Sequence, residues 1–467
     1  MLYRFLVVAI MPAILVSGCS NRGGSGVLLP VPRPLGSGIV DVADRDSGEA
    51  NPDVAASPDA HAPVPAGAVT LQTALTGALL RNPRLAVFSW EIRAAEARLL
   101  QAGLRPNPEL EGEIEEFGGS AERQGFDSAE TTIRLSQLIE LGGKRMKRRQ
   151  LAAAETALAG WDYETARLDV LTGVTRAFAE LLAAQQRQAL ADESQALAQR
   201  VLAAVSEQVK AGKVSPVEET KAGVSAAGAR IERDRAVRSL EAARKRLSLT
   251  MGEPSPVFER AEGDFDGLQP VPPSEQLAAL LEQNPNVARW QSELAQRRAA
   301  LALEKSKRIP DLTVGGGVSR FHAENDSAFV MSVSIPLPVF DRNQGGIREA
   351  AANLAKAEHE RRAAELQAEA SLADACEALG SAYSEATTLK QAVLPAAQSA
   401  FDAADEGFRQ GKFGFLDVLD AQRTLIESKG QYIDALAEYH RSAAEVERLT
   451  GQDLESFAPG SQKNQED

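Results

Sequence analysis

The chain has 467 residues, a formal net charge of −14, and 5% aromatic residues within a 44% hydrophobic composition. A chain of this length can bury more than one core, and its acidity argues against a nucleic-acid partner, because phosphate backbones are bound by basic surfaces. The apolar residues are chiefly Ala, Leu and Val, which suit thin layers of closely approaching helices better than one thick core.

The N-terminus reads "MLYRFLVVAIMPAILVSGCS". Arg4 precedes an apolar run from Phe5 to Val16 that is too short to span a bilayer and has the length of a signal-peptide core, so residues 1–18 are expected to direct export. The stretch "VSGC", Val16 to Cys19, resembles the bacterial lipobox and predicts cleavage before Cys19 and a palmitate-type lipid on that residue. A chance cysteine after a plain secretory signal is the alternative. Ser20 stands where Asp often signals inner-membrane retention, so the outer membrane is the expected address, with the chain lipid-anchored and extending into the periplasm. With Cys19 acylated, Cys376 is the only thiol left, no intramolecular disulfide can form, and "SLADACEAL" reads as a helix-packing setting for it. Residues 19–69 are rich in Gly, Pro, Ser and Asp without periodicity, the composition of a flexible lipidated arm. No later stretch approaches a transmembrane helix, so membrane residence requires a peripheral mode or a closed β-barrel.

The remainder is duplicated. "LLRNPRLAVFSWEIRAAEARLLQAGLRPNPEL" (79–110) aligns with "LLEQNPNVARWQSELAQRRAALALEKSKRIPDL" (280–312), setting Asn82-Pro83 on Asn284-Pro285. Each copy predicts an amphipathic helix that stops at a proline and turns into a strand. "QVKAGKVSPVEE" (208–219) parallels "FRQGKFGFLDVL" (408–419), setting Gly212-Lys213 on Gly411-Lys412. The chain therefore divides into repeats at 70–251 and 272–452, a Pro/Gly-rich linker at 252–271 and a polar tail at 453–467.

Each repeat holds two strand candidates of the length a membrane barrel needs. In "ELEGEIEEF", Glu109, Glu111, Glu113 and Glu115 alternate with Leu110, Gly112 and Ile114, as a strand between an aqueous lumen and lipid would. "TTIRLSQL" (131–138), "DLTVGGGVSRF" (311–321) and "AFVMSVSIPL" (328–337) alternate less strictly, with Phe329, Met331, Val333 and Ile335 on one face of the last. Two hairpins on a soluble domain are the plainer reading, but four strands leave open edges unless the sheet closes or several copies share it.

From about Lys144 to Lys210 there is no proline, which predicts a helix of about 100 Å, and the counterpart from about Ile347 to Gln410 carries a kink candidate at Pro395. Heptad-like apolar spacing (Leu171, Val174, Phe178, Leu181; Val418, Leu425, Tyr432, Tyr439) predicts coiled-coil-like faces. Gly212 predicts a C-terminal cap, and Ser215 and Pro216 in "SPVE" an N-cap and first helical position; Gly411 and Gly414 take these parts in the second copy. Asp417 and Asp420 in "FGFLDVLDAQ" share a helix face just past that turn, which alone reads as a solvated face.

Duplication, strand pairs, long helices and the "DVLDA" turn together resemble the TolC-like outer-membrane efflux family over residues 70–452. "LSQLIELGGKRMKRR" (135–149), "GKVSPVEETKA" and "GKFGFLDVLDAQRTL" are most similar to its heavy-metal branch of the cobalt-zinc-cadmium type. The resemblance implies a mainly α fold with a small β part, assembled as a homotrimer whose protomers each give four strands to one twelve-stranded barrel continuous with a periplasmic helical tunnel. It implies docking through a periplasmic adaptor (membrane fusion protein) to an inner-membrane pump of the resistance-nodulation-division (RND) class. It implies that Asp417 and Asp420 form the periplasmic constriction; Arg409 and Arg423, close by in the sequence, are candidates for their closed-state partners. The expected function is a passive exit duct for divalent metal cations, with Glu109, Glu111, Glu113 and Glu115 facing the lumen. Multidrug or organic-solute export is the alternative cargo, and a lipoprotein adaptor or coiled-coil spacer the alternative class. No enzyme, cofactor or resident metal is expected: His61, His322, His359 and His440 are scattered, no CxxC occurs, and the "EHE" of 358–360 fans apart on a helix.

Overall fold

The computed structural model describes residues 67–452 and 454. The signal peptide, Cys19, nearly all of the arm, and the tail apart from Leu454 lie outside the described residues.

In the first repeat, β1 (Ala68–Thr70) leads into α1 (Leu71–Arg81) and α2 (Pro83–Ala102). A hairpin of β2 (Glu109–Glu115) and β3 (Glu130–Ile139) follows, then α3 (Lys144–Lys210) and its return helix α4 (Pro216–Thr250). The 67 residues of α3 give a rod of about 100 Å. After β4 (Arg260–Glu262) and the short α5 (Ser274–Ala278), the second repeat runs through α6 (Pro285–Ser306), β5 (Leu312–Phe321) and β6 (Asp326–Ser334). It continues as α7 (Gln344–Thr388), a π-helical turn (Leu389–Val393), α8 (Leu394–Arg409) and α9 (Phe415–Thr450).

The π-turn explains why Pro395 does not break the rod. Proline lacks an N–H and its ring presses on the carbonyl one turn back; widening that turn absorbs both without ending the helix. Proline acts differently after β6. Ile335, expected on the strand face, lies beyond the strand, because Pro336 and Pro338 remove the donors that would extend the ladder.

Both repeats lock the start of one helix to the end of another with the same residue. Asn82 accepts from the Arg84 amide (2.9 Å) and donates to the Thr250 carbonyl (2.9 Å). Asn284 accepts from the Asn286 amide (2.8 Å) and donates to the carbonyls of Arg448 (3.1 Å) and Leu449 (2.9 Å). The aligned Asn-Pro pairs thus cap α2 and α6 while satisfying carbonyls that α4 and α9 leave open.

The 252–271 segment is strapped to the helices. Its β4 pairs in parallel with β1, and the Gln185 side chain forms two hydrogen bonds to the backbone of Ala261 (2.7 and 3.0 Å). Phe258 and Phe265 are buried in a core that also holds Val174, Phe178 and Leu436. His440 is bonded to the Phe265 carbonyl (2.9 Å) and stacked on its ring, and the Tyr439 hydroxyl donates to the Gln269 carbonyl (3.0 Å). A second core joins α5, α7 and α9 around Leu277, Leu379 and Val446, with Cys376 half-buried at its margin. A third lies where the two helical hairpins meet at their turns.

β2, β3, β5 and β6 form one antiparallel sheet in that order, so β2 and β6 are its edges. The hairpin loops lie at one end and the connections to α2, α3, α6 and α7 at the other.

Candidate functional site: an acidic strand face and the helical-hairpin turns

The register fixes what each face of the sheet carries. Glu109, Glu111, Glu113 and Glu115 pair with Ser136, Arg134, Thr132 and Glu130 of β3, which pair in turn with Gly315, Gly317, Ser319 and Phe321 of β5. The other face carries Leu110, Ile114, Ile133, Leu135, Val318, Phe329, Met331 and Val333, all exposed; Phe329 is 93% and Met331 79% accessible. An uncovered apolar patch of this kind on a sheet that is polar on its reverse marks contact with a lipid or protein phase.

On the polar face Arg134 reaches from β3 toward β2, 3.3 Å from Glu111 and 4.0 Å from Glu113. The sequence does not mark it, because β2 alternates strictly whereas its partner strand alternates less cleanly. The glycines of β5 give Arg134 its room. A Cβ on Gly315 would lie 3.1 Å from the Arg134 Cδ, and one on Gly317 2.3 Å from the Ile133 carbonyl oxygen. Beside it the buried hydroxyls of Thr132 and Ser319 bond to each other, and Ser319 donates to Glu130 (2.7 Å).

The two helical turns are built alike. In the first, the Gly212 and Lys213 amides close on the carbonyls of Val209 and Gln208 (both 2.9 Å); in the second, the Gly411 and Lys412 amides close on those of Phe408 (3.0 Å) and Gly407 (2.8 Å). Both are glycine-terminated helix ends with Gly212 at φ +69° and Gly411 at φ +73°, a region glycine enters without Cβ strain. The following helices start on Ser215, whose hydroxyl accepts from the Val217 amide (3.3 Å), with Pro216 in the first turn, and on Gly414.

Asp417 and Asp420 are both exposed yet differ in what they touch. The Asp417 carboxylate accepts from the Gly414 amide (2.8 Å), capping its own helix. Asp420 has no hydrogen bond or ion pair among the described residues. Arg409, expected near them, pairs instead with Asp405 one turn back (2.8 Å), and Arg423 is exposed. Counting from the aligned Gly-Lys pairs, Glu218 stands where Asp417 does and Lys221 where Asp420 does; they pair at 3.2 Å. The Ser206 hydroxyl donates to Glu219 (2.7 Å), so both carboxylates of the first turn have partners whereas Asp420 in the second has none among the described residues. Beneath both lie Val205, Ala222, Phe408, Phe415 and Val418, and Phe413 folds over Gly407, where a Cβ would stand 2.2 Å from its ring.

His322, His359 and His440 lie far apart in sequence on or beside different elements, and among the described residues no three His, Cys, Asp or Glu side chains converge to hold a metal ion. No helix among them is long and apolar enough to cross a membrane.

A duplicated rod fold, a two-faced sheet and paired glycine turns define a channel-type protein, and the family comparison agrees: residues 74–253 and 277–452 match the outer membrane efflux proteins, and the chain belongs to that family. It is 39% identical to the cobalt-zinc-cadmium resistance protein CzcC of Cupriavidus metallidurans over 83% of this chain and 91% of that protein. It is 28% identical to the nickel and cobalt resistance protein CnrC of the same organism, over 61% and 67%. In fold it is similar to the CmeC outer membrane channel of Campylobacter jejuni, with a TM-score of 0.67 and 17% identity over 82% of this chain and 85% of that one.

Proposed function

We propose that three copies of the chain form the outer-membrane exit duct of a tripartite efflux system that expels divalent heavy-metal cations. One observation carries this reading: a four-stranded sheet, apolar and uncovered on one face and acidic on the other, has open edges at β2 and β6 and continues directly into helices of about 100 Å. Closing β2 of one protomer on β6 of the next removes every edge, turns the apolar face to lipid and encloses Glu109, Glu111, Glu113 and Glu115. The helices then extend into the periplasm, where the turns at Gly212 and Gly411 face an adaptor and, through it, an RND-type pump. Threefold repetition of Asp420, and of Asp417 where its cap leaves an oxygen open, concentrates negative charge near one axis, which draws cations in and holds anions back. Cys19 carries the lipid anchor. The names of CzcC and CnrC, both metal-resistance proteins, support metal cations as cargo.

The duct is tested by reconstituting the purified protein into planar bilayers. Detergent-resistant trimers that conduct ions are expected; a monomer released from membranes when its lipid is removed would identify an adaptor or spacer instead. The cargo is tested by deleting the gene and measuring tolerance to zinc, cobalt, cadmium and nickel alongside organic drugs. Metal sensitivity is expected, whereas unchanged metal tolerance with raised drug sensitivity would assign organic solutes.

A further inference from the structure

The chain concentrates positive charge at one level. In the four sheet-to-helix junctions, 103–108, 140–149, 305–311 and 335–349, eleven lysines and arginines stand against four carboxylates, in a chain whose net charge is −14. The sheet brings these junctions together at one end. The Asp311 carboxylate accepts from the Leu141 amide (2.9 Å) and from Lys144 (2.7 Å), the Gln137 side chain donates to the Pro106 carbonyl (3.0 Å), and Asn343 donates to the Glu304 carbonyl (2.9 Å).

Folding within the protomer accounts for only part of this charge. Lys144, Arg148 and Lys307 are matched by Asp311, Glu140 and Glu304. Arg105, Arg145, Lys147, Arg149, Lys305 and Arg308 enter none of the ion pairs among the described residues, and all but the half-buried Lys147 are exposed. Of these, Arg145 also sits in the first turn of α3, which has no acidic residue there. Cations there oppose the helix dipole, whereas α4 and α9 begin with carboxylates, as the dipole favours. Arg145, in that first turn, therefore gains nothing from the helix it starts.

Apolar side chains interleave with these cations at the same level. Met146 is 63%, Leu337 80% and Phe340 89% exposed, and Arg342 donates through its Nε to the Pro338 carbonyl (3.1 Å), holding the loop that carries Leu337 and Phe340. The exposed apolar face of the sheet adjoins them directly.

We propose that these junctions form a basic, apolar-studded belt that binds the anionic phospholipid headgroups of the membrane leaflet on the helical side. The inference rests on the reading of the sheet as membrane-embedded. Charge complementarity selects the occupant: side chains that enter lipid alternate with cations free to meet phosphates, at the boundary between the apolar sheet and the water-exposed helices. Each basic residue at an anionic surface contributes about fivefold in affinity.

The test uses the full chain, extracted in detergent, reconstituted into nanodiscs of phosphatidylethanolamine mixed with phosphatidylglycerol, and washed; the lipids retained are counted by native mass spectrometry. Phosphatidylglycerol should be enriched over its share of the mixture, and high salt should abolish the enrichment. The variant carrying Arg145→Gln, Lys147→Gln, Arg149→Gln and Arg308→Gln should lose roughly tenfold or more of that preference. Replacing the three arginines by lysine, as a control for folding, should retain it. Retained lipid at the bulk ratio in the wild-type protein would overturn the belt, as would retention of the full preference by the Gln variant. Loss of binding to a periplasmic protein by the Gln variant, with lipid preference intact, would reassign the surface to that protein. Conduction in pure phosphatidylethanolamine bilayers without enrichment would sink the belt and leave the duct standing; enrichment without conduction would do the reverse.

Discussion

Asp417 and Asp420 look alike in the sequence and hold different positions in the fold, which makes them separable by experiment. Asp417→Ala removes the acceptor of the Gly414 amide and should destabilise the start of α9 by about 1 kcal/mol, read as faster amide exchange there. Asp420→Ala should leave exchange unchanged while weakening block of the conducting channel by multivalent cations; wild-type block would remove Asp420 from the constriction. Arg134 poses the complementary case on the acidic face. Arg134→Gln releases Glu111 and Glu113 and should raise cation-over-anion selectivity, measured as a shift in reversal potential under a salt gradient. An unchanged potential would mean that these side chains are screened from the ion path.

At the scale of elements, the duplicated Asn-Pro pairs carry more than their place at two helix starts suggests. Asn284 is 2% exposed and spans from the first turn of α6 to the last carbonyls of α9. Asn284→Ala leaves those carbonyls and the Asn286 amide without their partner and should cost about 2 kcal/mol, lowering the thermal midpoint. Asn82→Ala, which loses one inter-helix bond rather than two, should cost less. The sequence pointed to these residues through repetition and helix-start chemistry. It could not show that each also ends a distant helix, because that contact joins segments more than 160 residues apart.

At the scale of the whole molecule, pH acts through the strap between the repeats. Burial lowers the pKa of His440 below its ordinary 6.5, opposed by its bond to the Phe265 carbonyl and by Asp264 and Asp266. The unfolded chain therefore takes up a proton at a higher pH than the folded one, so this contribution is complete above about pH 6.5 and is lost as pH falls toward the lower folded value. Thermal unfolding should show a lower midpoint at pH 5.5 than at pH 7.5, and His440→Gln should flatten the difference. Lipid contact is tested on the sheet: Phe329→Arg should reduce membrane insertion by roughly 2–4 kcal/mol if it sits at mid-depth, while Ser332→Arg on the opposite face should not.

The duplication was legible in the sequence because its copies keep the same residues at matching positions, and the proline-free α3 and the alternation of β2 because they depend on local periodicity and on stop signals close in the chain. The glycine turns were legible for the same reason: a positive φ leaves its mark in the residue type. What only the tertiary structure decided is where distant segments meet. Arg134 lies among the β2 carboxylates because register sets it opposite Glu111 and because Gly315 and Gly317 leave it room. Pro395 is absorbed by a π-turn, and the Pro/Gly-rich 252–271 segment becomes a strap held by Gln185, Tyr439 and His440. Local chemistry specifies turns and faces; whether a charge is capped, paired or free depends on neighbours that the chain reaches only after it has folded.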